Sequence, residues 1–390
     1  MIAPPWLPIP PTGYGGIENV IAVLVQHLRT LGVQVELFTV EDTTLPSDKK
    51  HWLYQHGQYN NIQKPYYDSI PILISHISAA LNTIREDGNF DVIHDHNPYI
   101  GPAMMAYAGE SFPPIVHTLH GPPFTTPDQL ALDIPDNASM WRQLSKCSRI
   151  NYVNISEAAN KDMPRDFRCG VLEPVHNGIN VIDLPFSNKK GDYFMTLARF
   201  HPNKGQDLAI KACLAGGYKL RMAGMVGDIA KPRQLMMELA NPMSAYRSLI
   251  DFQYFSDQVF PHLDDTQIRY VGGLVNAPKY KMLGRARALL FPIQWEEPFG
   301  MAVIEALACG TPVVAMARGA MPEIIQHGYN GFLAQNYREF LGYMQRVDEI
   351  DPANCRESVK EKFSANTMAQ RYIERYQEVI KKSQPRQSIR

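Results

Sequence analysis

The sequence lacks the features of membrane-spanning and secreted proteins. No apolar run reaches the roughly 18 residues that a transmembrane helix needs. The segment 1–11 is apolar, but it carries five prolines and no basic residue, which excludes a signal-peptide helix. The five cysteines are scattered and form no Cys-x-x-Cys pair, which argues against a disulfide framework and a zinc site. We therefore expect a cytoplasmic protein, with a peripheral membrane contact left open.

A net charge of either sign is also missing. The chain has 38 basic and 39 acidic residues, for a formal net charge of −1. No overall field would attract a polyanion, so we expect no nucleic-acid partner. At 390 residues the chain exceeds the size at which a single hydrophobic core stops growing, and this length predicts two domains.

The sequence does contain a repeated alternation of short apolar runs with longer segments of helical periodicity, which is typical of parallel βαβ units. Strands are predicted at 34–40, 91–94, 115–119, 192–198, 219–223, 267–271, 288–293 and 311–315. Helices are predicted at 17–31, 72–85 and 364–382. A polar stretch near 175–192 suits a linker. The pattern predicts an α/β fold with two Rossmann-like domains, at 1–180 and 181–363, followed by a helix and tail at 364–390.

The most informative segment is 294–315, where a strand is followed by a loop, a helix, a glycine stop and another strand. Glu297 lies just before the predicted helix and Glu305 lies eight residues later, about two turns along. Both carboxylates should therefore face roughly the same side, where they suit hydroxyl pairs of a sugar or ribose. The alternative is that Glu297 is only a helix-start acid and Glu305 a solvated residue.

Two helix starts are candidates for binding phosphate. The backbone N–H groups of Phe299, Gly300 and Met301 and the positive end of the helix dipole suit a phosphate or sugar oxygens. Gly15 and Gly16 precede another predicted helix, where the backbone can approach a phosphate closely. A plain loop is the alternative for this glycine pair. The pattern is not the G-x-G-x-x-G of a dinucleotide-binding protein, which disfavours an NAD enzyme.

A resemblance to a known family rests on residues 297–315, which read E-P-F-G-M-A-V-I-E-A-L-A-C-G-T-P-V-V-A. They resemble the Glu-x7-Glu motif of the retaining GT-B glycosyltransferases of family four. The likeness extends over most of the chain, at the glycine loop 13–18, His120-Gly121, the turn 177–179, and Arg199 with Lys204. It implies a GT-B fold, in which the parallel sheets of an acceptor domain and a donor domain face each other across a cleft and the last helix crosses back to the first domain.

The resemblance also implies roles for charged residues. Arg199 and Lys204 would stabilise the diphosphate leaving group, the role of a metal ion in other glycosyltransferases, so we expect no metal and no cofactor. Surface charges beside a turn are the alternative for this pair. Glu297 would hold the hydroxyls of the sugar and Glu305 those of the ribose. The donor would be a nucleotide diphosphate sugar, transferred with retention at the anomeric carbon and without a protein nucleophile.

Three further residues are placed by the same likeness. His120 follows a predicted strand, where a histidine is often structural, but the resemblance implies that it positions the substrate. Gly224 and Val271 would approach the nucleobase through their backbone groups. The segment 227–260 is longer than the family pattern; it would shape the nucleotide pocket, form a dimer contact or decorate the surface, and we favour the last.

Metal-dependent chemistry finds little support in the sequence. His94 and His96 point the same way on a predicted strand, but no third ligand lies near in sequence. Asp228, Asp264 and Asp265 form no D-x-D motif beside a strand, which disfavours a magnesium-dependent GT-A enzyme.

Several alternatives stay open at this stage. Within the same fold, the chain would instead be a nucleotide-sugar epimerase or a sugar phosphorylase, and outside enzymes a nucleotide-sugar binding protein. The polar and aromatic segments 43–69 and 122–139 suit a glycan, a lipid or a small molecule as acceptor. The sugar, the base and the oligomeric state are also open.

Overall fold

The computed structural model describes residues 1–13, 15–61, 66–108, 112–125, 136–161, 163, 167 and 170–383. The chain divides into two compact units, here called unit 1 (Met1–Gly178 with Ala365–Arg390) and unit 2 (Ile179–Ser364). The predicted boundary after residue 180 lies beside this division, and the last helix belongs to unit 1. The tail beyond residue 383 lies outside the described residues.

Unit 1 is built on parallel strands. They are β1 Glu36–Thr39, β2 Lys49–Trp52, β3 Ile93–Asp95, β4 Ile115–Leu119 and β5 Ile150–Asn154. Ile2 bridges both Phe38 and Asp95, so the N-terminal segment joins β1 and β2 to β3, β4 and β5. The chain leaves Ile2 for β1 on one side and returns to β3 on the other, which makes the carboxyl ends of the Ile2 segment and β3 the switch point of this unit.

Most of the helices of unit 1 bury apolar residues. Those before residue 178 are α1 Gly16–Thr30, α2 Tyr66–Asp87, α3 Ile100–Met105, α4 Ala138–Leu144 and α5 Glu157–Lys161. In α1, Val20, Ile21, Leu24, Val25 and Leu28 are buried at the spacing of one helix face. That spacing explains why the sequence predicted this helix.

Unit 2 contains a six-stranded parallel sheet. Its strands are β6 Tyr193–Leu197, β7 Lys219–Ala223, β8 Ile268–Gly272, β9 Leu289–Phe291, β10 Val313–Met316 and β11 Gly331–Ala334. Their order is β11-β10-β9-β6-β7-β8, so the direction of chain progression reverses between β6 and β9. Phe194, Leu289 and Val314 are fully buried, as expected where helices cover both faces of a parallel sheet. In such sheets ligands bind outside the carboxyl ends of the strands at the reversal.

The helices of unit 2 connect these strands. They are α6 Gln206–Gly216, α7 Pro232–Ala240, α8 Ile250–Tyr254, α9 Asn276–Arg285, α10 Met301–Ala308, α11 Met321–Ile324, α12 Tyr337–Arg346 and α13 Pro352–Lys362. The last helix of the chain, α14 Ala365–Ser383, packs on α1 and β4 of unit 1. None of the helices in the described ranges is long and apolar enough to span a membrane.

Most predicted elements are present within a few residues of their predicted bounds, and the predictions for β4 and β7 match both ends. Three strands were not predicted. β2 has the sequence KKHW, whose residues are half-buried or exposed, so it lacks an apolar run. In β5 (INYVN) asparagine interrupts the apolar residues, and β11 (GFLA) has only two large apolar residues, between a glycine and an alanine.

Candidate active site

The loops after β6 and β9 meet at the switch point of unit 2. Lys204 follows β6, and its Nζ lies 2.5 Å from Oε2 of Glu297, which follows β9. The indole Nε1 of Trp295 donates to the same oxygen at 2.9 Å, and Lys204 Nζ lies 4.8 Å from the Trp295 ring centroid. Glu297 is only 8% exposed. Two of the predicted site residues are thus paired in one partly buried cluster. Its third member, Trp295, was not predicted as a site residue, although it belongs to the same motif.

Glycine makes this approach of the two loops sterically feasible. Gly205 has φ +65, and a Cβ there would lie 2.0 Å from the carbonyl oxygen of Pro292. The N–H of Gln294 donates to the carbonyl of Asn203 at 2.8 Å, which ties the two loops together. Only a residue without a side chain fits this contact, so Gly205 determines where the adjacent Lys204 lies.

A second glycine fixes the backbone of Glu297. Gly319 has φ +54, and a Cβ there would lie 2.2 Å from the carbonyl oxygen of Glu297. The N–H of Ala320 donates to that carbonyl at 2.9 Å. The loop before α11 therefore fixes the backbone of Glu297, while Lys204 and Trp295 bind its carboxylate.

The start of α10 lies directly after this cluster. Gly300 caps the helix with φ +100, where a Cβ would lie 2.7 Å from Cε of Met321. Phe299 is buried and packs edge-on against Phe363, with ring centroids 5.8 Å apart. The first N–H groups of an α-helix have no acceptor within the helix, so the start of α10, with Met301 at its first position, offers donors and a positive dipole end.

Glu305, the second carboxylate of the motif, is paired within α10 and α9. Its Oε1 lies 2.7 Å from Nζ of Lys279 and accepts from the hydroxyl of Tyr280 at 3.4 Å. Burial alone would lower the pKa of Lys279, but the charges and hydrogen bonds of Glu305 and Tyr280 together outweigh burial, and the pKa is raised. Lys279 therefore stays cationic, and Glu305 has a fixed counter-charge that the sequence motif did not reveal.

Arg199 is bound differently from Lys204. Its Nε lies 3.6 Å from Oδ2 of Asp251, and its side chain is 49% exposed. Its carbonyl accepts from Nε2 of Gln206 at 2.9 Å, which anchors the backbone while the guanidinium stays accessible. Of the predicted phosphate-binding pair, Lys204 is bound to Glu297 and Arg199 to Asp251.

The segment 227–260, which supplies Asp251, packs into unit 2. Phe255 contacts Phe200 and Tyr270, with ring centroids 5.0 Å and 5.1 Å away. The hydroxyl of Tyr254 accepts from the N–H of Asp207 and donates to its carboxylate, both at 2.9 Å. The expectation that this segment decorates the surface is therefore wrong for residues 251–259, whose aromatic side chains support the loop between β6 and α6, whereas most residues of 231–250 are exposed.

Gly224 and Val271 lie at the ends of β7 and β8. A Cβ at Gly224 would lie 1.8 Å from the carbonyl oxygen of Ala198, and its own carbonyl accepts from the Tyr270 hydroxyl at 3.0 Å. Close packing of the strand ends leaves no room for a side chain at Gly224, so the structure explains why this residue is glycine. Val271 is half-buried in β8.

In unit 1, the glycine loop borders a buried carboxyl group. Gly15 is buried, and a Cβ there would lie 2.7 Å from Pro11 and 3.1 Å from Oε2 of Glu18. Gly16 begins α1 with nothing within 4 Å of its Cβ position. Burial raises the pKa of Glu18, which is 6% exposed. Tyr14, between the glycines of the motif, lies outside the described residues.

Histidines dominate the carboxyl ends of β3 and β4. Nδ1 of His96 lies 2.9 Å from Nε2 of His120, so the predicted substrate-positioning histidine has a ring partner. His94 bonds to the hydroxyls of Tyr376 and Thr118, both at 2.7 Å. These contacts place His94 and His96 in a protein hydrogen-bond network.

The carboxylate in this region is also paired. Oδ2 of Asp95 lies 2.7 Å from Nδ1 of His117, and its Oδ1 accepts from the side-chain amide of Asn97 at 2.8 Å. Elsewhere in unit 1, one group in the described part of the chain has the spacing for a metal ion, namely Glu36, His51 and Asp87. His51 pairs with Glu36 at 2.7 Å and Lys49 with Asp87 at 3.0 Å, so protein partners account for it.

The cysteines described in the structure are free thiols: Cys147, Cys213, Cys309 and Cys355. Burial raises the pKa of Cys213, Cys309 and Cys355 to about 12, which makes them inert. The fifth, Cys169, lies outside the described residues.

Comparison with protein-family models accounts for almost the whole chain. Residues 184–361 match the model for glycosyl transferases group 1, and residues 14–182 match the model for glycosyltransferase family 4. The first match contains Arg199, Lys204, Glu297 and Glu305, and the second contains Gly15, Gly16 and His120.

Individual proteins give the same picture at low identity. The chain is 23% identical over 344 residues to D-inositol 3-phosphate glycosyltransferase of Arthrobacter sp. strain FB24, covering 83% of this chain and 79% of that protein. It is 25% identical over 333 residues to phosphatidyl-myo-inositol mannosyltransferase of Mycobacterium leprae, covering 82% and 79%. The crystal structure of Anabaena HepE with UDP and glucose matches with a TM-score of 0.63, 17% identity and coverage of 97% and 98%. Such structural neighbours identify the fold as GT-B.

Proposed function

The chain belongs to the group 1 glycosyltransferases, and from this premise we propose that it transfers a hexose-type sugar from a nucleotide diphosphate sugar to a hydroxyl group of an acceptor. The observation that carries the proposal is the partly buried contact between Lys204 and Glu297 just before α10. A cation, a carboxylate and helix amides meet there at the switch point of unit 2. These groups match a diphosphate on one side and sugar hydroxyls on the other.

In the proposed reaction the cations act on the leaving group. The bond between the anomeric carbon and the diphosphate oxygen breaks, and negative charge develops on the diphosphate. The acceptor hydroxyl oxygen forms the new bond to the anomeric carbon, and its proton passes to the departing diphosphate. Lys204, Arg199 and the first amides of α10 stabilise that charge, and they are positioned before the reaction begins. The charges come from side chains and backbone, so we propose a reaction that needs no metal ion.

The carboxylates orient the donor in this proposal. Glu297 accepts hydrogen bonds from sugar hydroxyls, and its position is fixed by Trp295 and by the backbone contact to Ala320. Glu305 accepts from the ribose hydroxyls while Lys279 and Tyr280 keep it in place. His120 of unit 1 positions the substrate. We propose retention at the anomeric carbon without a protein nucleophile, which is the stereochemistry that the family resemblance implies.

The acceptor is proposed only as a hydroxyl compound: a glycan, a lipid or a small molecule. The names of the relatives from Arthrobacter and Mycobacterium indicate inositol phosphate and phosphatidylinositol for those proteins, and both are hydroxyl acceptors. The crystal structure of HepE contains UDP and glucose, which supports a nucleotide-sugar donor here. We place the reaction in the cytoplasm, a proposal supported by the free thiols.

A donor and acceptor screen tests this proposal. The protein is incubated with radiolabelled nucleoside diphosphate sugars and with lipid extracts, glycans and small hydroxyl compounds. We expect label to move from a nucleotide sugar to an acceptor, with one nucleoside diphosphate released per sugar. Rearrangement of the donor alone would instead indicate an epimerase, and release of sugar phosphate a phosphorylase. Tight donor binding without any product would indicate a binding protein.

A further inference from the structure

The rings of two histidines that follow neighbouring strands are bonded to each other. Nδ1 of His96, after β3, lies 2.9 Å from Nε2 of His120, after β4, and the ring centroids are 5.2 Å apart. A neutral imidazole carries one proton, so one nitrogen donates and the other accepts. In such a pair, the location of the proton on His96 determines its location on His120.

The burial of His96 decides which nitrogen carries its proton. The residue is 1% exposed, and its Nε2 has no hydrogen-bond partner in the described part of the chain. A buried N–H without an acceptor is rarer and costlier than a buried lone pair without a donor. The proton of His96 therefore lies on Nδ1, and Nδ1 donates to Nε2 of His120.

The surroundings keep both rings neutral. Burial lowers the pKa of His120 to about 3 and also lowers the pKa of His96, with further contributions from neighbouring histidines. The ring of His94 lies 4.0 Å from that of His96, and both nitrogens of His94 are already bonded, to Tyr376 and Thr118. His96 is thus held between His94 and His120, with its Nδ1 directed at His120.

We propose that His96 is a positioning residue that holds His120 as the Nδ1–H tautomer, so that His120 donates a hydrogen bond to a substrate oxygen. Because Nε2 of His120 is occupied by His96, that nitrogen does not act as a general base. The inference rests on the proposed function only for the identity of the acceptor oxygen. The tautomer itself follows from the protein contacts.

The test compares two substitutions of His96 in the full-length protein. His96→Asn places an amide donor near the position of Nδ1, whereas His96→Leu removes the donor. Nitrogen-15 NMR of histidine-labelled protein reports the tautomer, and the signals of His120 are assigned by their loss in His120→Gln. We expect Nδ1–H at His120 in wild type and in His96→Asn, and a loss of that preference in His96→Leu.

Kinetics provide the second measurement. His96→Leu should lower kcat about tenfold, as expected for loss of one hydrogen bond, while the affinity for bare nucleoside diphosphate stays unchanged. His96→Asn should recover most of the rate. His76→Leu is the matched control, because His76 is also buried and bonds to the carbonyl of Ala3 at 2.9 Å. It should reduce stability without changing the tautomer of His120.

The two proposals fail in different ways. An Nε2–H tautomer of His120 in wild type, or an unchanged tautomer in His96→Leu, overturns the role of His96 whatever the enzyme activity. If His96→Asn keeps the tautomer but is as slow as His96→Leu, the donor role of His120 is overturned. If the tautomer behaves as expected but no nucleotide sugar is used, the proposed function fails and the effect of His96 on His120 stands.

Discussion

Units 1 and 2 both place polar residues at the carboxyl ends of parallel strands, but they use opposite chemistry. Unit 2 presents ion pairs, Lys204 with Glu297 in the loops after β6 and β9, and Lys279 with Glu305 in the helices that follow β8 and β9. Unit 1 presents neutral imidazoles, such as His96 and His120, in a buried network. From this difference we propose that similar strand ends bind a charged ligand in unit 2 and uncharged hydroxyl groups in unit 1.

The physical reason lies in the cost of desolvation. A buried charge is stable only when it is paired, so a cation that binds a diphosphate, as we propose for Lys204, needs a counter-ion before the ligand arrives. Glu297 fills that place for Lys204. A group that binds hydroxyls, the role we propose for His120, needs a fixed orientation more than charge, and the ring contacts among His94, His96 and His120 can fix that orientation.

The largest effect is expected from removing the cation of unit 2. Lys204→Ala should lower the rate of sugar transfer by roughly 10² to 10³, because one preorganised group no longer stabilises the developing charge. Binding of nucleoside diphosphate should weaken as well. Single-turnover kinetics and calorimetry measure both quantities. Lys211→Ala is the control, since Lys211 forms an exposed pair with Asp207 in the same unit. If the two variants had the same transfer rate and the same affinity for nucleoside diphosphate, Lys204 would not belong to the donor site.

The next effect concerns the support of Glu297. Gly319→Ala should destabilise unit 2 and slow transfer, because the new Cβ meets the Glu297 backbone and the backbone is left-handed. Gly328→Ala is a matched control, with φ +80 and nothing within 4 Å. It should cost about 1 kcal/mol of unfolding free energy from the backbone strain alone. Urea unfolding compares the two, and a cost for Gly319→Ala no larger than the control contradicts the contact.

A smaller effect is a difference between the units in how their stability depends on pH. Burial lowers the pKa of His76 to about 4 and that of His120 to about 3, from an ordinary value of 6.5. Above pH 6.5 these histidines do not change the free energy of unfolding. Below that pH the free energy of unfolding falls, because the histidines of the unfolded chain take up protons before those of the folded chain. Each histidine lowers the free energy of unfolding by about 1.4 kcal/mol for each pH unit, until the folded form is also protonated.

Hydrogen exchange, corrected for the intrinsic rate, should therefore show protection in unit 1 falling on mild acidification more than protection in unit 2. His76→Asn should reduce the pH slope by about one proton. A uniform loss across both units would mean that the buried histidines do not account for the acid sensitivity.

No change is expected from chelation. In the proposed reaction Lys204, Arg199 and the helix amides supply the positive charge, so exhaustive treatment with EDTA should leave the transfer rate near its starting value. Activity that is lost and then restored by magnesium or manganese would contradict metal independence.

The sequence predicted much of the fold and the main motif for identifiable reasons. The apolar face of α1 and the continuous runs of β4 and β7 leave periodic signals. Trp295 could have been predicted as a site residue because it lies in the same motif as Glu297. His96 and His120 both follow predicted strands, so their proximity was foreseeable once those strands were paired.

Other parts of the site depend on packing that leaves no local signal. The partners Lys204 and Glu297 are 93 residues apart, and their meeting requires β6 and β9 to be neighbours. Asp251 and Tyr254 belong to a segment whose contacts with Arg199 and Asp207 exist only in the folded unit. The steric need for Gly205 likewise arises from a distant carbonyl, that of Pro292.

The most direct measurement of the central claim is calorimetry of Glu297→Gln with bare nucleoside diphosphate, combined with single-turnover sugar transfer. The substitution keeps the shape but removes the charge that pairs with Lys204. We predict that the variant binds the diphosphate at least as tightly as wild type, since the cation loses its competitor, while sugar transfer falls sharply. Normal transfer, or a loss of diphosphate affinity as large as that of Lys204→Ala, would contradict the division between a phosphate-binding cation and a sugar-orienting carboxylate.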